Sequence, residues 1–150
     1  MVALGTSQAF AEFEARLRLT EAQRERVKGR AAATREFLER SFPSTYELAL
    51  RSSSLMGSAA RGTIVRPLTD LDVMAVFRNK NQVFEKYRRD SQAFLYRLRE
   101  RIDARTQVTQ VGARGQAVRL FYKDELHVDI APYSRGATEA LGYLRGTADG

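Results

Sequence analysis

The chain has 150 residues, no cysteine and a formal net charge of +7. That length builds one domain with a real core, and the lack of cysteine excludes disulfides, thiolate metal sites and a cysteine nucleophile. No apolar run approaches the roughly 20 residues of a bilayer span, and the N-terminal MVALGTSQAFAEFEARLRL lacks the compact apolar block of a signal peptide, so the expectation is a cytoplasmic protein with no membrane partner.

A hydrophobic fraction of 43% and a charged fraction of 29% are ordinary for a globular domain. The excess of positive charge permits anionic partners, nucleotides, nucleic acid or a membrane surface, without requiring them. Residues 7–18, SQAFAEFEARLR, set Phe10, Phe13 and Leu17 at helical spacing. A second helix is predicted over residues 20–42, with Thr20 as N-cap, Gln23 completing a capping box and Pro43 closing it. In TYELALRSSSLMGS, Tyr46, Leu48 and Leu50 alternate with polar or small residues, as in a half-buried strand that ends at Gly57. LDVMAVF (71–77) has the length and β-branched content of a buried strand.

Residues 81–104 read as one long helix, with Val83, Phe84, Tyr87, Phe94, Leu95, Leu98 and Ile102 recurring at three- and four-residue steps. Phe84, Tyr87, Phe94 and Tyr96 read as core, and Arg88, Arg89, Arg97, Arg99 and Arg101 as a solvated face. Gly112 and Gly115 bracket a turn. VRLFY (118–122) and LHVDIAPY (126–133) are strands joined through Lys123-Asp124-Glu125 as a tight hairpin. A short helix is expected around residues 138–144. The order predicts an α+β domain, a mixed β-sheet packed against long helices.

The chemistry lies in the acidic residues. Side chains of a strand alternate faces, so Asp70 and Asp72 project from the same side, about 7 Å apart. Two carboxylates so placed repel, and a divalent cation neutralises them well; Mg²⁺ takes one or two carboxylates plus substrate phosphates. Asp129 sits in the apolar context HVDIAP, on the strand face opposite Leu126, Val128 and Ile130. If its strand neighbours residues 70–77, three carboxylates converge on a two-metal site. The residues alone leave an alternative open: an aspartate pair is a common surface feature, and Asp129 could pair with one of the many arginines. His127 shares the face of Asp129 and is read as packed or hydrogen-bonded.

Upstream, Gly57-Ser58 follows a strand and opens AARG, where small residues let backbone N–H groups approach an anion. Arg61 reads equally as a phosphate contact or a loop brace, and Thr69 as a cap on the Asp70 turn.

LMGSAARGT, TDLDVMAVF and HVDIAP, in that order, resemble the polymerase-β-type nucleotidyltransferase superfamily, over roughly residues 20–133. The form GS-x-x-RGT with LDV and VD-h-x-P most resembles the cyclic-GMP-AMP-synthase-like (CD-NTase) and oligoadenylate-synthase-like branch, whose bacterial members make cyclic nucleotide signals in anti-phage defence. The resemblance implies a polymerase-β-like palm fold and a Mg²⁺-dependent nucleotidyltransferase, with two ions that Mn²⁺ could replace. Such an enzyme would use nucleoside triphosphates such as ATP, release pyrophosphate and synthesise a cyclic oligonucleotide. Gly57, Ser58 and Arg61 would hold the triphosphate, and Asp70, Asp72 and Asp129 would be the catalytic metal ligands.

Members of that branch continue past the third aspartate into a helical lobe, whereas some twenty residues follow Asp129 here. The expectation is a single catalytic core over residues 1–150, preceded by N-terminal helices (about 7–42), with the C-terminal helical lobe missing and an activator or that lobe as a partner. Two alternatives stand beside it: a minimal enzyme transferring a nucleotide to a protein, RNA end or small molecule, and a catalytically silent basic module that binds nucleic acid.

Overall fold

The computed structural model describes residues 5–80, 82–105, 110–114 and 116–135. Two helices come first, α1 (Thr6–Leu17) and α2 (Glu21–Ser41). The start of α2 is fixed as predicted: Thr20 Oγ1 accepts from the Gln23 N–H at 3.1 Å, and Gln23 Oε1 accepts from the Thr20 N–H at 2.9 Å. Strand β1 (Leu50–Leu55) leads into a single-turn helix α3 (Gly57–Arg61), and β2 (Asp70–Arg78) follows. Then come α4 (Val83–Tyr87), α5 (Ser91–Arg105), β3 (Gln110–Arg114), β4 (Ala117–Phe121) and β5 (His127–Arg135).

The five strands form one sheet in the order β1-β2-β5-β4-β3. β2 and β5 run parallel at its centre, and the remaining pairs are antiparallel, so the sheet is mixed as expected. Its inner face carries Leu71, Val73, Ala75, Phe77, Val118, Leu120, Val128 and Ile130, packed in one core with Leu38 of α2 and Phe94, Leu98 and Ile102 of α5. Phe77 sits edge-on to both Phe42 (5.1 Å) and Phe94 (5.7 Å), the favoured geometry for ring quadrupoles. Burying these apolar faces drives the assembly.

Four expectations need correction. Tyr46 and Leu48 are not in a strand: the Tyr46 N–H donates to Pro43 O (3.0 Å), and the chain turns before β1 begins at Leu50. Their alternation reflects contacts of a packed loop, in which Leu48 is buried and the Tyr46 ring lies under Arg101 (4.0 Å). The long helix is two, because Asp90 caps α5 by accepting from the Ala93 N–H (2.9 Å); the apolar spacing runs on across the break and hides it. Gly112 lies within β3, a strand absent from the prediction. Arg97 and Arg101 are not freely solvated: Arg97 Nε donates to Glu47 (2.6 Å) and Arg101 Nε to Ser41 O (2.8 Å), tying α5 to the end of α2 and the loop after it.

Tyr87 and Phe94 are core as expected, while Tyr96 is 47% exposed. α1 buries no residue, leaving Phe10 and Phe13 exposed. The Gly115 turn and the helix expected around residues 138–144 lie outside the described residues. Among the described residues no helix is long and apolar enough to cross a membrane.

The hairpin joining β4 to β5 is clamped onto α2. Arg30 donates to Leu126 O (2.9 Å) and to the Asp124 carboxylate, its guanidinium lying 3.7 Å above the Tyr122 ring, and Arg26 Nε donates to Asp124 (3.2 Å). Burial alone would push the Asp124 carboxyl upward, but hydrogen bonds from Arg30, the Leu126 N–H and Arg26 outweigh it and hold it below the ordinary range. The clamp fixes the start of β5, two residues before Asp129.

Candidate active site

The sheet's outer face holds the acidic residues. Strand alternation sends Leu71 and Val73 inward and leaves Asp70 and Asp72 outward and exposed. In the parallel register of β2 with β5, Asp72 lies beside Asp129 and Asp70 beside His127; neighbouring strands are about 4.8 Å apart. The conditional step in the sequence reading, that the strand of Asp129 neighbours residues 70–77, therefore holds, and all three aspartates share one face.

Gly57 and Ser58 arrive at the same place. The Met56 N–H donates to Asp72 O (2.8 Å), which seats the start of α3 against β2. Gly57 has φ +59°, and a Cβ added there would lie 3.7 Å from Asp72 Oδ2. The backbone thus passes close to the carboxylate in a conformation that favours glycine. Ser58 is exposed, and its carbonyl accepts from the Thr63 N–H (2.9 Å) and Thr63 Oγ1 (3.4 Å), so Thr63 braces the turn. Arg61 is exposed, and its side chain makes no hydrogen bond or ion pair among the described residues. Thr69 Oγ1 lies 3.4 Å from Asp70 Oδ2, as expected of a cap on that turn. His127 is packed, not free: its Nδ1 accepts from the Tyr122 N–H (3.2 Å) and its ring lies tilted against Phe121, centroids 5.1 Å apart.

The alternative left open in the sequence, that Asp129 pairs with an arginine, is what the structure shows, and the arginine is one the sequence did not single out. Arg119, on β4 opposite Asp129, forks that carboxylate: Nε donates to Oδ1 (2.7 Å) and Nη2 to Oδ2 (2.6 Å). The same Nη2 stands 3.5 Å from Asp70 Oδ1. A signal for it existed: a hairpin centred on Asp124 places residue 119 across from residue 129, and the alternation of VRLFY turns Arg119 to the carboxylate face.

The charges act on one another. Partial withdrawal from water, then the Asp129 and Asp70 charges, push the Asp72 carboxyl above the ordinary range, with Arg119 opposing. The hydrogen bonds to Asp129 hold Arg119 firmly protonated. Three carboxylates on one face are a donor set suited to a hard divalent cation. As the side chains stand, however, no three histidine, cysteine or acidic residues among the described ones are placed to hold a single ion. Both oxygens of Asp129 are engaged by Arg119, so the donor set fits a cation once that fork opens or is shared.

Solved structures share this arrangement of strands and helices. The chain resembles Escherichia coli MS115-1 CdnC in a CdnC:HORMA-deltaN complex, at TM-score 0.68 and 22% identity over 85% of this chain and 41% of that one. It also resembles the Bradyrhizobium diazoefficiens CD-NTase CdnG in complex with GTP, at TM-score 0.63 and 21% identity over 83% and 36%. A cytoplasmic RNA terminal U-transferase matches more loosely, at TM-score 0.52 and 12% identity over 90% and 36%. The chain thus spans about two fifths of the length of such relatives. No curated protein matches the sequence.

The fold is that of the nucleotidyltransferases. Within that class, residues 4–143 match the family described as Second Messenger Oligonucleotide or Dinucleotide Synthetase domain (SMODS), and the chain belongs to that family.

Proposed function

We propose that the chain is the catalytic core of a divalent-metal-dependent nucleotidyltransferase that joins nucleoside triphosphates, with release of pyrophosphate, into a cyclic oligonucleotide signal. The observation that carries this reading is the placement of Asp72 beside Asp129 in adjacent parallel strands, with Asp70 on the same face and the Gly57 backbone against Asp72. Membership of a second-messenger synthetase family supports it, as do relatives solved with ATP and with GTP.

In this reading Asp70, Asp72 and Asp129 would together hold two Mg²⁺ or Mn²⁺ ions. The ions would supply charge neutralisation at the triphosphate and a lowered pKa for the attacking hydroxyl. The chain's own part is positioning. Ser58 and the backbone at Gly57 orient the triphosphate, Arg61 lends positive charge to it, and the rigid β2–β5 pair keeps the carboxylates in register. A hydroxyl of one nucleotide attacks the α-phosphorus of another, the P–O bond to pyrophosphate breaks, and the hydroxyl proton passes to solvent or a nearby carboxylate. The role extends to anti-phage signalling in the cytoplasm, with a protein activator; CdnC, for its part, was solved in complex with a HORMA protein.

The test is product identification. Protein incubated with all four ribonucleoside triphosphates and Mg²⁺ or Mn²⁺ should yield a cyclic or linear oligonucleotide by mass spectrometry, and a D70A/D72A variant should yield none. Nucleotide added to an RNA end or a protein would replace the cyclic product with the terminal-transferase type of reaction. Salt-sensitive nucleic-acid binding unaffected by Asp72→Ala, without turnover, would point to a silent binding module.

A further inference from the structure

Arg119 is absorbed by no step of that reaction, and its surroundings set it apart from the other ion pairs. Arg18–Glu14 and Lys28–Glu25 have side chains more than half exposed, as solvated surface pairs do. Arg119 and Asp129 are 17% and 20% exposed, and both oxygens of Asp129 are taken. A two-point guanidinium fork on a carboxylate is the strong form of such a contact. The same nitrogen that grips Asp129 also faces Asp70, so the guanidinium lies between two of the three carboxylates.

We propose that Arg119 is the site's resident counter-cation: it neutralises the carboxylate face when no metal is bound and competes with free divalent cations for Asp129. This rests on the metal-site reading above. The charge balance explains the arrangement. Three carboxylates on one open face would repel, and one fixed positive charge relieves that without blocking Asp72, which Arg119 does not touch. A cation entering at Asp129 must then displace the fork or share its oxygens. Free metal binds weakly as a result, and loading favours conditions that also give the guanidinium another anion, such as a triphosphate. Arg119 in this account is a positioning residue that acts through Asp129.

The test is Mn²⁺ binding without nucleotide, followed by electron paramagnetic resonance and by titration calorimetry. Arg119→Met keeps the stem and removes the charge, and it should bind Mn²⁺ roughly tenfold or more tightly than wild type, since a unit charge a few ångströms from a divalent ion is worth at least that factor even at high dielectric. Arg119→Lys keeps the charge without the fork and should fall between them; it also serves if Arg119→Met does not fold. A mere brace between β4 and β5 predicts the reverse, because loosened carboxylates would bind metal less well. Unchanged, weaker or undetectable Mn²⁺ binding in the folded variant overturns the proposal. Asp72→Asn separates the two ideas. If it abolishes Mn²⁺ binding while Arg119 variants gain nothing, the metal site stands and the competition fails. If Mn²⁺ binding ignores Asp72→Asn, the metal-site reading falls and the proposal with it.

Discussion

Gly57 and Gly62 offer a matched pair of perturbations. Both have positive φ, +59° and +66°, where a side chain costs roughly 1–2 kcal/mol, offset in part by a less flexible unfolded chain. Neither alanine would clash: the nearest atom to a Cβ on Gly57 is Asp72 Oδ2 at 3.7 Å, and nothing lies within 4 Å of one on Gly62. Gly57→Ala and Gly62→Ala should therefore each cost about 1 kcal/mol, a Tm loss of about 2–4 °C for a chain of this size. Their functional effects should differ. Only the Gly57 methyl stands against the carboxylate, where the proposed reading brings the backbone to phosphate. Binding of a non-hydrolysable nucleoside triphosphate with Mn²⁺, measured by calorimetry, should weaken roughly tenfold for Gly57→Ala, the effect of losing about 1.4 kcal/mol, and change little for Gly62→Ala. Equal binding by both variants at equal Tm loss would refute the placement of triphosphate over Gly57.

Asp72→Asn should raise the metal-free Tm at pH 7. Burial and the neighbouring carboxylates raise the Asp72 pKa in the folded protein, so its ionisation destabilises the fold; the gain should shrink as pH falls through that raised value and vanish below the ordinary 3.8. Asp124 behaves oppositely, because its folded pKa is lowered. Asp124→Ala should cost about 1 kcal/mol at pH 7, discounted for its exposure, and that cost should fade as pH drops from 3.8 through the lowered folded value, read by urea unfolding across pH. Phe94→Ala removes a buried ring that touches Phe77 and Tyr87 and should cost about 3–5 kcal/mol, seen as a large fall in the urea midpoint.

Local structure is legible in the sequence where one physical signal acts alone. Thr20 and Gln23 specify a cap locally, and the capping box is present as written. LDVMAVF has the length and β-branched content of a buried strand, and strand alternation carried back to residue 70 put Asp70 and Asp72 on one face. It is hidden where tertiary contacts override local pattern. Tyr46 alternates with its neighbours as a strand would, yet its ring is held by Arg101 and Phe42 in a loop. The break before α5 depends on Asp90 reaching one backbone N–H, a signal weaker than the apolar spacing around it. β3 pairs with β4 through a glycine-interrupted stretch, QVGAR, with one large apolar residue and no alternation to mark it as a strand. Within the candidate site, the three aspartates stood out because charge beside apolar sequence is costly, and Gly57 because a Gly-Ser pair follows a strand. Arg119 did not, because one arginine among many carries no mark until the hairpin register sets it opposite Asp129.

The most direct measurement is a crystal structure with Mn²⁺ and a non-hydrolysable nucleoside triphosphate, with the ions located by anomalous scattering. The account predicts Mn²⁺ peaks liganded by Asp70 and Asp72, with Asp129 completing one of them, and phosphate oxygens at Gly57 and Ser58. Ions that avoid these aspartates, or a triphosphate bound elsewhere, would contradict it.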